Sequence, residues 1–432
     1  MSTSATHHKD KSSVSLPRLA SASFIGTTIE WYDFFIYGTA AALVFNEVFF
    51  PETTPLIGTL LAFMTYGVGF VVRPLGAALF GHFGDRIGRK STLIVTLLLM
   101  GTSTFLIGLL PSHATIGNLA PLALILLRIL QGLAVGGEWG GAVLIATEYA
   151  SPRQKVLYGS FAQLGSPGGL LIATAVFTVL STSASDDALV EWAWRIPFLA
   201  SALLIPVGLA IRLKIAETPE FQRTLDQQER SSLPILEVFR RQGRFVLIGT
   251  FAFVGVFLTY YMLTTFALTY TTQTLGMSRS VVIPVNILAA VVESVSIVVG
   301  VFLARRVTAR KVAIYSALGM LLWAAPAFVL MNAATAPALY LAVGVSMVFV
   351  GTSYGVLAGE VSGLFDPAVR YSGTSLCYHF AGAIGGGLGP ITATWLLGRY
   401  ESVWPVAGLA AFVAILMAIA CFALPKHEAE LV

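Results

Sequence analysis

Residues 71–90 read VVRPLGAALFGHFGDRIGRK. The stretch closes one apolar run, packs Asp85, Arg86, Arg89 and Lys90 into a few residues, and hands over to a second apolar run at Ser91. A bilayer-spanning helix needs about 20 mostly apolar residues, and such runs lie on both sides, at 56–80 and 92–110. Two spans joined by a short charged turn describe a hairpin of membrane helices. Composition extends that reading to the whole chain. Of 432 residues, 56% are hydrophobic and 11% charged, and the mean hydropathy is +0.80. Soluble domains carry about 25% charged residues, so this chain is too poor in charge to cover itself for water. A disordered protein, a collagen, a coiled coil and a cytosolic enzyme are excluded.

Outward from the hairpin, apolar runs fall at 20–45, 118–147, 157–181 and 192–211. After a polar stretch they resume at 245–272, 281–304, 312–331, 338–360, 373–398 and 404–425. The expectation is an all-α polytopic membrane protein with twelve transmembrane helices in two six-helix bundles. The roughly ten-residue alternating segments of a β-barrel are not visible. The chain divides into a tail at 1–19, a bundle at 20–211, a linker at 212–244, a bundle at 245–425 and a tail at 426–432. Residues 1–19 are polar and the run after them is too long for a cleavable signal, so it is expected to remain as a span.

Lysines and arginines gather on one side of the spans, among them Arg86, Arg89, Lys90, Arg153, Arg240, Arg241, Arg305, Arg310 and Arg370. The other side has Arg195, Arg279 and Arg399 against Glu47, Glu52, Asp186, Asp187, Glu191 and Glu401. By the positive-inside rule both termini are expected in the cytoplasm, with the chain in the cell (inner) membrane. The formal charge of +4 then reports topology, and no nucleic-acid partner is expected; the lipid bilayer is. Cys377 and Cys421 both lie in apolar runs, which leaves neither a disulfide framework nor a Cys-based metal site.

The halves read as repeats. ATEYASPRQKVLYGS (146–160) and AGEVSGLFDPAVRYSGTS (358–375) close the fourth and tenth spans, so Glu148 with Arg153 recurs as Glu360 with Arg370. Parallel repeats of this kind place a substrate site at their interface near the bilayer midplane. The glycine cluster GAIGGGLGP (382–390) lies within a span and no strand precedes it, so a dinucleotide loop fails its context. No Walker motif is present, which removes ATP as the direct energy source.

GDRIGRK (84–90), RILQGLAVGGEWGGA (128–142) and AETPEF (216–221) resemble the major facilitator superfamily. IEWYDFFIYG (29–38), VGGEWGGAVLIATEYA (135–150) and WAWRIPFL (192–199) narrow the resemblance to its metabolite:proton symporter family, most like shikimate-transporter-like members. The likeness covers essentially the whole chain and is most specific in the first half. It implies a secondary transporter of a small organic acid, driven by the proton gradient, with no cofactor, working as a monomer by alternating access. Members also carry keto-dicarboxylates, tricarboxylates and zwitterionic osmolytes. Where the repeat of GDRIGRK should fall stands LARRVTARK (303–311), with no acidic residue. The second half either lacks the latch or builds it from arginines and other acceptors.

Charges inside spans cost about 2.5–3.5 kcal/mol each on insertion scales. They are Glu30, Asp33, Arg73, Arg128, Glu138 and Glu293, with His379 beside them. At 1.5 Å rise per residue, Asp33 and Arg128 reach similar depths near the midplane, and i,i+3 spacing puts Glu30 and Asp33 on one face. The expected roles are Arg128 for the substrate carboxylate, Asp33 for the proton and Glu30 assisting it. A substrate anion at Arg128 would compete for the cation beside Asp33; the other reading is a static Asp33–Arg128 pair that fastens the first span to the fourth. A tricarboxylate would want more than one cavity cation, and only Arg128 is placed at the midplane by depth.

Arg73 before Pro74 reads as a kink, and with Glu138 as a gate on the basic side; Gly132, Gly136 and Gly140 read as close helix packing. Glu293 is a second proton site or a specificity residue. Tyr32, Tyr37, Tyr260, Tyr261, Tyr378 and His379 are candidate substrate contacts, each with helix packing as its alternative. Asp85, Arg86, Arg89, Glu148, Arg153, Glu360 and Arg370 are expected to hold the cytoplasmic side shut, the solvated loop being the plainer reading of the charged turn. Trp192, Trp194 and Trp404 read as interfacial anchors. Two other functions fit the same chain: a proton antiporter exporting a drug or metabolite, and a transporter-derived sensor.

Overall fold

The structure is a computed structural model that describes residues 16–87, 89–137, 155–214, 234–366 and 369–425; among these there is helix and no strand. The first half comprises α1 (Leu16–Leu43), α2 (Pro55–Phe80), α3 (Ser91–Leu109), α4 (Leu119–Gly136), α5 (Lys155–Ser183) and α6 (Arg195–Lys214). The second comprises α7 (Arg240–Thr274), α8 (Arg279–Val307), α9 (Ala309–Asn332), α10 (Ala336–Ser362), α11 (Ser372–Tyr400) and α12 (Trp404–Ala423). Ten are long and apolar enough to cross a membrane, and α6 with the bent turn Asp186–Ala193 before it makes an eleventh. The twelfth, α1, is 28 residues long; Glu30, Asp33 and its threonines dilute its hydropathy. Leu203, Phe302, Leu322 and Ile419 stand exposed on the outside, where lipid tails replace water as solvent.

Proline shapes the spans as expected. Helix α2 breaks at Val72, just before Arg73–Pro74, because the ring clashes with the carbonyl four residues back and Pro74 donates no hydrogen bond. At the start of the second half, the helix that begins at Pro234 kinks at Gln242, whose side-chain amide donates to Asp366 between α10 and α11.

Glycines set the spacing of each half, and the register repeats. Added Cβ atoms at Gly132 and Gly136 of α4 would lie 2.4 and 2.1 Å from the carbonyl oxygens of Gly69 and Arg73 in α2, and one at Gly76 2.1 Å from Leu133 O. In the second half, Gly351 and Gly355 of α10 press on the Glu293 and Ile297 carbonyls of α8, and Gly300 on that of Thr352. Thus Gly69, Arg73 and Gly76 stand where Glu293, Ile297 and Gly300 stand. Gly165, Gly168 and Gly169 of α5 seat α1 in the same manner, as Gly385 of α11 seats α7. Small residues let backbones meet where no hydrophobic force drives helices together.

The halves meet along α1–α7, α2–α11 and α5–α8. Thr269 Oγ1 donates to Ala42 O at 3.0 Å, and a Cβ on Gly67 would lie 3.1 Å from Gly387 O. Two of these contacts adjoin π-helical turns, Met262–Phe266 in α7 and Gly382–Leu388 in α11. Such turns widen the helix locally and recur at functional sites. Trp194 departs from the interfacial reading: it is fully buried among Phe45, Phe49 and Phe198, because the bend before α6 turns it inward. Trp192 and Trp404 are exposed.

Gly136→Ala should separate α2 from α4 and lower the thermal midpoint in detergent, at an overpacking cost of about 1–3 kcal/mol. Gly408→Ala, whose Cβ would meet nothing within 4 Å, should leave the midpoint unlowered or raise it slightly, since alanine is the better helix former.

Candidate functional site

Two arginines sit where the helices of the first half converge on the second. Arg128 of α4 is 0% exposed and Arg73 of α2 is 2% exposed. Gly69 makes room for the first, since its missing Cβ would fall 2.6 Å from Arg128 Nε. The guanidinium lies 4.1 Å from the Phe34 ring centre, 4.2 Å from Tyr37 and 5.0 Å from Tyr66. Arg73 lies 3.9 Å from Phe34 and 4.2 Å from Phe70. Desolvated cation–π contacts are worth about 2 kcal/mol, which offsets part of the cost of burying these cations. Among the described residues neither arginine has an ion pair, and Arg128 Nε and Nη2 and Arg73 Nε have no hydrogen-bond acceptor.

The direct Asp33–Arg128 pair expected from depth is not formed. Arg128 Nη1 donates to Gln131 Oε1 (3.1 Å), Gln131 Nε2 to Thr104 Oγ1 (2.7 Å), and Thr104 Oγ1 to Asp33 Oδ2 (2.8 Å). The two charges are matched in depth but joined through α3 and the next turn of α4. The reason is the space at Gly69 and the faces of Phe34 and Tyr37, which draw Arg128 toward α2 and the ring cluster. A second correction concerns the count of cations. Arg73, which depth alone kept away from the midplane, shares Phe34 with Arg128, so the site has two.

The tyrosines divide. Tyr37 lies under Arg128 and donates to Thr65 at 2.7 Å. Tyr32 is committed to the Pro197 carbonyl at 2.8 Å and fastens α1 to α6, which is a packing role. Tyr261 packs edge-on to Phe70 and Tyr66, and Tyr260 follows it with its hydroxyl lacking a hydrogen-bond partner. Tyr378 shares a 2.9 Å hydrogen bond with Tyr354 and is electrostatically coupled to Glu30, Arg73 and Glu293. His379 lies beside the Gly136 backbone and within reach of Arg73, so α11 touches α2 and α4 there. Glu293 is 1% exposed in α8, close to Tyr260.

Phe34, Tyr66, Phe70, Thr104, Gln131 and Tyr354 belong to the site without having been singled out. A signal existed for some: Tyr66, Phe70 and Arg73 follow one another at helical spacing, and Gln131 is three residues after Arg128. Thr104 offered none, since a lone threonine in an apolar run is ordinary.

At the gates, Glu138, Glu148 and Arg153 lie outside the described residues, as do the side chains of Asp85, Arg86, Arg89 and Arg370; the backbone places Asp85 and Arg86 at the end of one helix and Arg89 at the start of the next. Arg310 shows what replaces an acidic latch in the second half. Its guanidinium donates to the carbonyls of Cys421, at 3.2 Å, and Phe422, which belong to the last turn of α12, where helical partners run out. Glu360 lies against the same end, beside Cys421. At the opposite end Arg279 of α8 reaches across to the first half, 3.7 Å from Glu47, 3.3 Å from Asp186 and 3.1 Å from the Leu43 carbonyl.

Two like bundles with buried charges where they meet form the architecture of a membrane transporter. The chain belongs to the major facilitator superfamily: residues 23–376 match that family's profile. It is 40% identical over 386 residues to the inner membrane metabolite transport protein YhjE of Escherichia coli, covering 88% of this chain and 87% of that one. It is 38% identical over 434 residues to the Escherichia coli shikimate transporter, covering 96% and 98%. A proline/betaine transporter of Salmonella typhimurium is 33% identical over 393 residues, covering 88% and 78%. The crystal structure of a D-xylose–proton symporter superposes with a TM-score of 0.73 over 93% of this chain and 96% of that one, at 18% identity, a likeness of fold. The protein is a multi-pass membrane transporter and not an enzyme.

Arg279→Ala should loosen the contact between the halves at that end. Part-exposed ion pairs contribute about 0.2–1 kcal/mol, so thiol labelling of a cysteine placed at Thr59, beside Gln273 across the seam, should quicken by up to about fivefold.

Proposed function

We propose that this protein is a proton-coupled symporter of a small organic acid, with hydroxylated, shikimate-like carboxylates favoured, in the inner membrane with both termini cytoplasmic. One observation carries the anion: two buried guanidiniums with open donors and, among the described residues, no ion pair. Arginine recognises a carboxylate by paired N–H donors, and Arg128 Nε and Nη2 form such a pair of open donors. Arg73 is the second cation of the same chamber. The shikimate transporter among the relatives supports the substrate class.

Coupling follows from the direction of the hydrogen bonds. Arginine donates to glutamine and glutamine to threonine, and the single Thr104 proton, which also faces the Met100 carbonyl at 3.0 Å, has the Asp33 carboxylate as its nearer acceptor at 2.8 Å. A substrate carboxylate that draws Arg128 to itself takes the charged head off that chain, and Asp33 is released to a proton. Glu30, one turn away on the same face and coupled to Tyr378 of the other half, is the assisting group. A rocking of the halves about this site then carries acid and proton together, with no cofactor and one chain sufficing.

Thr104→Val keeps the chamber and cuts the chain. In proteoliposomes with an imposed inward proton gradient, wild-type protein should accumulate the acid; Asp33→Asn and Thr104→Val should exchange it across the membrane without accumulating it. Arg128→Lys, which loses the paired donors, should raise the half-saturating concentration by at least about tenfold. Loss of preloaded acid by the wild-type protein under that gradient would make it an exporter, and accumulation indifferent to protonophores would end the coupling scheme.

A further inference from the structure

The second half holds an acidic counterpart to the arginine chamber. Glu293 is buried in α8 with Oε2 lacking any hydrogen-bond partner. Tyr260 of α7 lies beside it, and Tyr354 of α10 and Tyr378 of α11 are near enough to feel its charge. Tyr354 and Tyr378 are spent on each other, whereas the Tyr260 hydroxyl and Glu293 Oε2 lie within reach of each other but make no hydrogen bond of good geometry. Ser166 of α5 adjoins Tyr260, so the cluster faces the seam between the halves, where α5 packs on α8.

The glycine register fixes its depth. Glu293 meets Gly351 as Gly69 meets Gly132, and Gly69 is the residue on which the Arg128 guanidinium lies. Repeats related by an axis along the membrane normal put equivalent positions at equal depth. Glu293 therefore stands level with the guanidinium in the opposite half. Between them runs an aromatic path: Arg128 to Tyr66 at 5.0 Å, Tyr66 to Tyr261 at 6.0 Å, Tyr261 to Tyr260 at 5.2 Å, and Tyr260 beside Glu293. A molecule between the poles meets cationic donors at one end, ring faces along its body and an open carboxylate with a phenol at the other.

We infer that Glu293, with Tyr260, is the specificity-determining contact for the hydroxyl groups of the substrate, at the end remote from its carboxylate. The inference rests on the organic-acid reading and adds the half of the site that distinguishes a hydroxylated ring acid from a plain one. A buried acceptor left without its donor penalises the analogue that lacks the group, which is how a polar site rejects a deoxy compound more strongly than an apolar pocket rejects a size change.

The test compares shikimate with cyclohexene-1-carboxylate, the same ring acid without hydroxyls, by dissociation constants from thermal stabilisation of the purified full-length transporter. The wild-type chain should prefer shikimate by roughly tenfold to a hundredfold. Glu293→Leu should abolish that preference while its affinity for cyclohexene-1-carboxylate stays within about twofold of wild type. Glu293→Gln, which keeps an acceptor, should retain part of the preference and still accumulate acid under a proton gradient. Equal loss for both acids in Glu293→Leu, or an unchanged preference, would overturn the assignment. So would loss of gradient-driven accumulation of both acids in Glu293→Gln, which would make Glu293 a proton carrier. Equal wild-type affinity for the two acids would sink the hydroxyl contact alone, whereas binding of neither would sink the carboxylate reading as well.

Discussion

Two buried guanidiniums that have no ion pair among the described residues are the constraint around which the first half is arranged. Removing an arginine from water costs several kcal/mol even after relaxation, and a carboxylate pressed against it would be the ordinary remedy. Here the remedy is aromatic: Phe34 serves both cations, with Tyr37 and Tyr66 on one and Phe70 on the other. Rings stabilise a cation through their faces while leaving its N–H donors in plane and open. A carboxylate would consume those donors. The arrangement keeps the cation folded in and keeps it available.

Everything near the cations then has to be thin. Arg128 lies flat because residue 69 is glycine, and α2 meets α4 through Gly76, Gly132 and Gly136 at backbone distance. The same register in α8 and α10 holds a glutamate where α2 has Gly69. Duplication thus gave two identical crossings with opposite chemistry: in one half the small residue admits a neighbour's cation, in the other a carboxylate fills the corresponding position itself. A site lying between them is polar at its two ends and aromatic between, a shape with a sense of direction.

The sequence was most legible where physics leaves few choices. All the spans but the first follow from apolar length, the break at Val72 from Pro74, and the packing role of Gly132 and Gly136 from their spacing. The buried charges were legible as a set, because each is costly in hydrocarbon. Their pairing was not. Depth along a helix places Asp33 level with Arg128, but whether they touch depends on which way a long side chain turns, and that was decided by an absent Cβ at Gly69 on a third helix. For Tyr32 the choice between substrate contact and packing was illegible for the same reason: its ring lies on the helix that carries Asp33, and its hydroxyl donates to Pro197 of α6. Thr104 became part of the site only through α3 packing beside α1 and α4, information that no local pattern holds.

The two ends of the molecule are fastened by different physics, and that difference bears on how the halves can move. Arg310 binds the terminal carbonyls of α12 within its own bundle, so its bonds need not break when one bundle tilts against the other. It stands in the repeat register where the first half has Arg86, and it is held by a helix C-terminus, which is itself negative, with Glu360 near the same end. Arg279, by contrast, crosses the seam to Leu43, Glu47 and Asp186, and these bonds must part for that end to open. Its two acidic partners are half-exposed or more, so the ionic part of the clamp is weak enough for water to replace. A stiff strap inside a bundle and a weak clamp between bundles are the combination that rigid-body rocking requires: each half moves as one piece, and the contact that resists the motion is the one that solvent can most readily take over.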